Sequence, residues 1–165
     1  MIFVTVGTHE QPFDRLVKYM DEWARDNDEK VVIQTGYCGY EPGYAEWSRL
    51  YPYEKMKELT DQARIVISHG GPSSFIMSLQ AGKIPIVVPR MACFKEHVND
   101  HQVSFCRKIV KRWGNILVVQ EMGKLSDVIK RYDEITKDMN KSFASNNERF
   151  CEEFEKIVEG LLAKD

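Results

Sequence analysis

Five short runs dominated by consecutive apolar, mostly β-branched residues punctuate this chain: Ile2 to Val6, Val31 to Gln34, Ile65 to Ser68, Pro85 to Val88 and Ile116 to Gln120. A strand with one wet face alternates apolar and polar residues, so continuous runs of this kind require cover on both faces of their sheet. Between them lie segments with apolar residues at three-to-four spacing, such as Leu16, Val17, Met20 and Trp23 in a helix expected from about Phe13. Tyr53 to Ala63, Pro72 to Ala81, His97 to Trp113 and Leu125 to about Lys137 read as further helices, and a last one is expected from roughly Asn147 to Ala163. Residues 37 to 52, "YCGYEPGYAEWSRLYP", read as loop with room for one short edge strand. The expected fold is therefore α/β: a Rossmann-like, mainly parallel sheet with helices on both faces, in one domain over residues 1–165. Ligands of such sheets bind beyond the carboxyl ends of the strands. The loops after Val6, Gln34, Ser68 and Val88 thus hold the chemistry.

Composition narrows the classes of function. The chain has 165 residues, 43% hydrophobic and 29% charged, with a formal net charge of −2. That balance argues against nucleic acid as the main partner, because a phosphate backbone calls for a basic face. The four cysteines (Cys38, Cys93, Cys106 and Cys151) are scattered without a C-x-x-C pair, as expected of reduced thiols rather than of a zinc site or disulfide framework. The opening "MIFVTVG" has no basic flank and is too short to span a membrane, so a cytoplasmic location is expected.

Three loops stand out. The first, "GTHEQPF", offers Gly7 for a tight turn, then Thr8, His9 and Glu10 at the mouth of the sheet. It is neither a G-x-G-x-x-G fingerprint nor a Walker loop, which removes the best support for hydride transfer. The second, "SHGGPSS", places His69, Gly70 and Gly71 before Pro72, with Ser73 and Ser74 in the first turn of a helix. Pro is favoured at the first helical position. A helix N-terminus carries about half a positive charge and unpaired N–H groups, so this turn is a seat for an anion. The third, "RMACFKEHVNDHQ", gathers Glu96, His97, Asp100, His101 and Gln102. His97 and His101 would share a helix face at metal-ligand spacing, but H-E-x-x-H is absent and no third ligand is implied. A polar cluster that hydrogen-bonds sugar hydroxyls is the better reading.

Together "FVTVGTHEQPFDRL", "SHGGPSS…GKIPIVVPR" and "EHVNDHQ" resemble the C-terminal half of family-28 glycosyltransferases, from Ile2 to about Leu162. The resemblance is nearer still to the donor-binding subunit of two-component enzymes of exopolysaccharide and capsule synthesis, and to the catalytic subunit of the dolichol-pathway N-acetylglucosaminyltransferase. It implies the C-terminal half of a GT-B enzyme. The resemblance also implies that Gly7 and Thr8 face the donor diphosphate, that Gly70, Gly71, Ser73 and Ser74 cradle it, and that Asp100 and Gln102 form the D-x-Q element that reads the donor sugar. His69, counted with this binding turn, is read as packing and hydrogen-bonding within it, with catalysis as the alternative. One position departs from the pattern: Met77 stands where related enzymes often carry a ribose-binding Glu.

The activity this resemblance implies is transfer of a hexose from a UDP-sugar, with inversion, to a lipid-linked saccharide. Galactose is the first choice, glucuronate and N-acetylglucosamine next, and the linkage expected is β-1,4. No cofactor or metal is expected, since the chain has no D-x-D motif and a helix N-terminus can stabilise the departing diphosphate. His9 and Glu10 are the candidate catalytic residues, although His9 could equally hydrogen-bond the diphosphate. A membrane-anchored acceptor-binding subunit is the expected partner, recruiting the chain to the inner face of the membrane. The stripe Phe150, Phe154, Ile157, Val158 and Leu161 would pack on its own domain or reach that partner. Arg107, Lys108, Lys111 and Arg112 form a basic cluster, read as a solvated face or one that meets a membrane or an anionic lipid acceptor. The rival readings are a non-catalytic nucleotide-sugar-binding subunit and an unrelated Rossmann-like enzyme.

Overall fold

The computed structural model describes residues 1–139, 151–156 and 159. Along the chain the elements are β1 (Ile2–Thr5), α1 (Asp14–Asp26), β2 (Val31–Gln34), β3 (Glu46–Ser48), α2 (Tyr53–Gln62), β4 (Ile65–His69), α3 (Pro72–Gln80), β5 (Ile86–Val88), α4 (His101–Trp113), β6 (Leu117–Val118), α5 (Leu125–Lys130) and α6 (Tyr132–Thr136). The six strands form one sheet in the order β3-β2-β1-β4-β5-β6, and every pairing is parallel. This is the doubly wound order. Its direction of winding reverses between β1 and β4, which opens a crevice beyond their carboxyl ends.

The pleat explains the continuous apolar runs. Ile2, Val4, Ile65, Ile67, Ile86 and Val88 pack with Leu16, Val17 and Met20 of α1 and with Leu125, Ile129 and Tyr132 of α5 and α6. Their neighbours Phe3, Val32 and Val66 point to the other face, against Leu59 of α2 and Ala63 beyond it. Val87 meets Phe75 and Leu79 of α3 and Cys106 and Ile109 of α4 on that same side. Each fully buried aliphatic or aromatic side chain contributes about 1.5–3 kcal/mol, so the two layers supply the main stabilisation.

Within the described residues the expected elements are present, with two differences. The segment 37–52 does hold a short strand, β3, paired parallel at the sheet edge. The helix expected from His97 begins only at His101, because short polar side chains capture the backbone before it. Asp100 Oδ1 accepts from Ala92 N at 2.8 Å, and Asn99 Oδ1 accepts from His101 N at 3.1 Å. The helix expected over Leu125 to Lys137 is broken at Arg131 (φ −97°, ψ 11°). That break turns Tyr132 inward, where its hydroxyl donates to Ile84 O at 2.6 Å. Of the helix expected from Asn147 to Ala163, residues 151–156 and 159 are helical; Phe150, Ile157, Val158 and Leu161 of its stripe lie outside the described residues.

The loop before β3 is tied down by one buried carboxylate. Asp21 of α1 accepts hydrogen bonds from Tyr40 Oη (2.7 Å) and from the backbone N–H groups of Gly43 (3.0 Å), Tyr44 (2.8 Å) and Ala45 (2.9 Å). Burial opposes its ionisation, but the bonds from Gly43, Ala45, Tyr40 and Tyr44 outweigh it and hold the carboxyl below its ordinary value. Asp21→Asn exchanges an acceptor-only group for one that presents an NH₂ to the same donors, and should lower unfolding free energy by about 2–3 kcal/mol in urea titrations. The folded carboxyl binds its proton less tightly than the unfolded one. The wild-type advantage over Asp21→Asn is therefore complete above the ordinary aspartate pKa and should fade as pH falls below it.

Candidate functional site

The loops after β1 and β4 flank the point where the winding reverses, and a cleft of about 600 Å³ opens beside them. Thr5, Gly7, Thr8 and His9 form one wall, and His69, Ser73 and Ser74 another. Tyr51, just before α2, and Tyr53 and Met56 in its first turn close the far end. The volume suits a ligand of nucleotide size. Of the residues singled out in the sequence, Gly7, Thr8, His9, His69, Ser73 and Ser74 line this cleft. Glu10, Gly70, Gly71, Asp100 and Gln102 do not. Gly70 instead lines a second cavity of about 470 Å³ with Pro72, His101, Ser104, Phe105 and Lys108.

The double glycine has a packing reason that the sequence did not disclose. His69, at the end of β4, is 8% exposed, and its ring fills the space where side chains at Gly7 and Gly71 would stand. A Cβ at Gly71 would lie 2.2 Å from His69 Nε2, and one at Gly7 would lie 2.5 Å from Cε1. Gly7 also has φ +75°, a conformation other residues adopt with strain. The imidazole thus staples the two loops that frame the cleft. Burial, then the Arg90 charge, lowers its pKa to about 4, so His69 is neutral at pH 7.

Beyond this turn, α3 starts with Gly71 as its cap residue and no side chain capping it. Ser74 N is bonded to Gly71 O at 3.2 Å, while the Ser73 and Ser74 side chains border the cleft. The α3 dipole therefore meets the cavity with hydroxyls and without a competing protein carboxylate. No Asp or Glu lines the cleft at all among the described residues.

His9 is exposed, and its Nδ1 accepts a hydrogen bond from Gln11 N at 3.1 Å. In the neutral ring the proton is then on Nε2, which makes the outer nitrogen a donor. His97 and His101, which a helix was expected to align, sit on a turn and at the first residue of α4. Their rings still meet edge-on at 4.4 Å, and His97 lies 4.9 Å from His9. Burial, then the His101 and His9 rings, holds the His97 pKa below its usual value. Among the described residues no group of three or more His, Cys, Asp or Glu could hold a metal ion. Asp100 is exposed, with one oxygen engaged by Ala92 N. Gln102 is 5% exposed, and its Oε1 accepts from both Gly70 N (3.1 Å) and Arg90 N (3.0 Å). It brackets the loops after β4 and β5. Met77 lines the cleft and receives a weak hydrogen bond from Thr60 Oγ1 at 3.6 Å.

Sequence reasoning passed over Arg90, although "VVPR" is part of the resemblance. The residue is 1% exposed. Its Nη1 donates to Gln11 O (2.7 Å), Pro12 O (3.2 Å) and Glu96 O (3.1 Å), and Nη2 donates to Val6 O (2.9 Å). An Arg ending a strand in place of an apolar residue was the available signal.

Two outcomes test this geometry. Gly71→Ala should destabilise the fold by about 1–3 kcal/mol through overpacking on the His69 ring, and in a double-mutant cycle His69→Ala should recover most of that loss. His69 binds its proton more weakly folded (about 4) than unfolded (6.5), so stability it confers is present above pH 6.5 and is lost as pH falls towards 4. Urea titrations across that window should fall by up to about 3 kcal/mol in wild type, and His69→Gln should flatten that part of the slope.

The model of the glycosyltransferase family 28 C-terminal domain matches residues 1–161. Similar solved structures include the glycotransferase of kitacinnamycin, with TM-score 0.59, 18% identity, and coverage of 79% of this chain and 34% of that one. The glycosyltransferase SnogD from Streptomyces nogalater aligns with TM-score 0.56 and 20% identity, over 79% of this chain and 34% of its own. CalG4, the calicheamicin glycosyltransferase, aligns with TM-score 0.57 and 15% identity, over 79% and 32%. These likenesses show the fold, that of the C-terminal domains of GT-B glycosyltransferases, and this chain spans about a third of the length of those structures. No curated protein matches the sequence. A family model that runs over nearly the whole chain, on a sheet wound in the order such domains require, places it plainly: the chain belongs to the glycosyltransferase family 28 C-terminal domain family.

Proposed function

We propose that the chain is the donor-binding, catalytic part of an inverting glycosyltransferase that moves a hexose from a UDP-sugar to a lipid-linked saccharide, in exopolysaccharide or capsule synthesis. The observation that carries this reading is the cleft of about 600 Å³ that runs from an aromatic end to the uncapped N-terminus of α3. Tyr51 and Tyr53 offer flat apolar surfaces to a uracil ring. The diphosphate would then reach Thr8, Ser73 and Ser74 and the first N–H groups of α3. Departure of UDP leaves charge on the diphosphate, and the helix end stabilises it where it develops. A divalent ion on the diphosphate would need carboxylate ligands, and the described lining has none, so the donor is held without a metal in this reading.

His9, with its proton on Nε2, donates to the departing diphosphate. Glu10, exposed on the same loop, is the carboxylate proposed to take the proton of the acceptor hydroxyl as it attacks the anomeric carbon. Asp100 and the amide nitrogen of Gln102, whose oxygen is already engaged, are the groups proposed to read the donor sugar, although neither lines the cleft itself. With Met77 rather than a carboxylate on the wall, the ribose takes its hydrogen bonds elsewhere, and Thr60 and Gln34 are the polar side chains at hand. Galactose is the preferred sugar and β-1,4 the preferred linkage. In this reading the acceptor wall is supplied by a separate membrane-anchored subunit.

Calorimetric titration with UDP, UDP-galactose, UDP-glucuronate and NAD tests the reading. UDP species should bind and NAD should not. Ser74→Ala should weaken UDP about 5–10-fold, as expected for one lost hydrogen bond to a charged group. Glu10→Gln should leave UDP affinity unchanged and reduce transfer in the presence of the partner. If no UDP species binds even with that partner, the reading fails. The open side of the cleft favours one alternative, a subunit that binds nucleotide-sugar without catalysis, which UDP-sugar binding without transfer would establish.

A further inference from the structure

From His101 to Gln120 the chain has no Asp or Glu, and Arg107, Lys108, Lys111 and Arg112 all fall within this stretch. A chain with more acidic than basic residues overall, 25 against 23, thus concentrates four cations on one helix. Helix α4 buries Gln102, Val103, Cys106 and Ile109. His101, Ser104, Arg107, Lys108, Lys111 and Arg112 are all exposed, and form one uninterrupted polar, cationic face.

The usual explanation of exposed cations is local pairing. Arg25, Lys30, Arg64 and Arg131 each hold a carboxylate in this way, whereas Lys18, Lys57, Lys95 and Lys130 are exposed without one among the described residues but stand singly rather than in a row. Among the described residues no carboxylate pairs with any of the four on α4. Lys111 and Arg112 stand in the last turn, where cations favour the helix dipole. Arg107 and Lys108 stand mid-helix and gain nothing from it. The spacing moreover sets Arg107 beside Lys111 and Lys108 beside Arg112, like-charge i,i+4 pairs that destabilise a helix. Trp113, the last residue of α4, falls by helical spacing off the cationic row but is 55% exposed, with Arg112 over its ring at 5.1 Å. A row of cations with an exposed Trp at the helix end is the composition that settles at the headgroup layer of an anionic bilayer.

We propose that the outer face of α4 is a membrane-contact surface, which seats the chain directly on anionic phospholipid headgroups through Arg107, Lys108, Lys111 and Arg112, with Trp113 at the interface. Charge complementarity points to the occupant: a neutral surface would leave the four cations without counter-charge, and the chain's net charge of −2 argues against a nucleic acid. The contact stands without the transferase reading, yet it suits it. Lys108 also borders the cavity beside Gly70 and Pro72, so a bilayer on this face lies next to the rim of the site, where a lipid-linked acceptor presents its saccharide.

Co-sedimentation of the full chain with large unilamellar vesicles tests the contact, using phosphatidylcholine alone or with phosphatidylglycerol as about one lipid in three. Wild type should sediment with the anionic vesicles, not with the neutral ones, and should be released at high salt. Lys108→Glu/Lys111→Glu should lower partitioning by about tenfold or more, and the control Lys18→Glu/Lys130→Glu should not. Should the reversal variant fail to fold, as judged by circular dichroism, Arg107→Gln/Lys111→Gln replaces it, with a smaller loss expected. Fluorescence should shift to the blue on binding and lose that shift in Trp113→Ala, since Trp23 is buried and Trp47 half-buried. UDP titration of the same variants should be unchanged, which separates failure of this contact from failure of the donor site. Absence of binding to anionic vesicles, an equal loss in the control, or binding only to a soluble acidic protein would overturn the proposal.

Discussion

The active end of this domain is organised around a guanidinium with almost no access to water. Arg90 leaves β5 and, instead of meeting a carboxylate directly, donates to four backbone carbonyls drawn from the loop after β1 and from the turn at Glu96. Desolvation lowers its pKa from the ordinary value, and the charge is tolerated because the carbonyl dipoles point at it and its plane lies 4.9 Å from the Phe13 ring centre. Unpairing a buried charge of this kind costs on the order of 3–5 kcal/mol, so the loop geometry is held tightly. Arg15 and Glu96 extend the same knot: their bidentate pair, 2.8 and 3.0 Å, joins α1 to the turn before α4, while Arg15 also reaches Pro89 O and Gln120 O. The loops after β1, β5 and β6 are thereby made one body.

A second set of contacts orients the turn before α3, the proposed phosphate seat, within that body. Gln102 uses one oxygen for two backbone donors, Gly70 N and Arg90 N, and so couples the turn before α3 to the same strand end. His69 fills the space left by Gly7 and Gly71. The double glycine lets protein pack on protein; the proposed approach of an anion to α3 would use the same bare backbone. A neutral imidazole at this point leaves the helix dipole and the Ser73 and Ser74 hydroxyls as the local attraction for a diphosphate, without an extra carboxylate to oppose it.

The two ends of the molecule divide the work. The doubly wound core, dry on both faces of the sheet, supplies rigidity and fixes the crevice between β1 and β4. Asp21 anchors the tyrosine-rich loop that leads into β3, and α2 then brings Tyr53 and Met56 to the far end of the cleft. Outward-facing chemistry sits on α4, whose head brackets the site and whose cationic face points away from the core.

The sequence by itself determined the strand runs, the alternation with helices, the parallel sheet and the loops where ligands would bind. These come from local patterning, because a residue's apolar neighbours in the chain fix whether it needs one covered face or two. The motifs and their order also carried the family. Only the tertiary structure decided what the side chains of those loops do. Gln102 looked like a sugar reader, and its oxygen proves to be committed to Gly70 and Arg90, 32 and 12 residues away in the chain. His97 and His101 were expected to meet through helical spacing; they meet although His97 precedes the helix, on a turn where His97 Nδ1 accepts from Asn99 N and Asn99 Oδ1 accepts from His101 N. Arg90 gave no local sign of its four carbonyl partners, three of them on the distant loop between β1 and α1. Patterning is a property of neighbours along the chain, whereas the hydrogen bonds of a buried polar group depend on which distant segments the sheet order brings beside it.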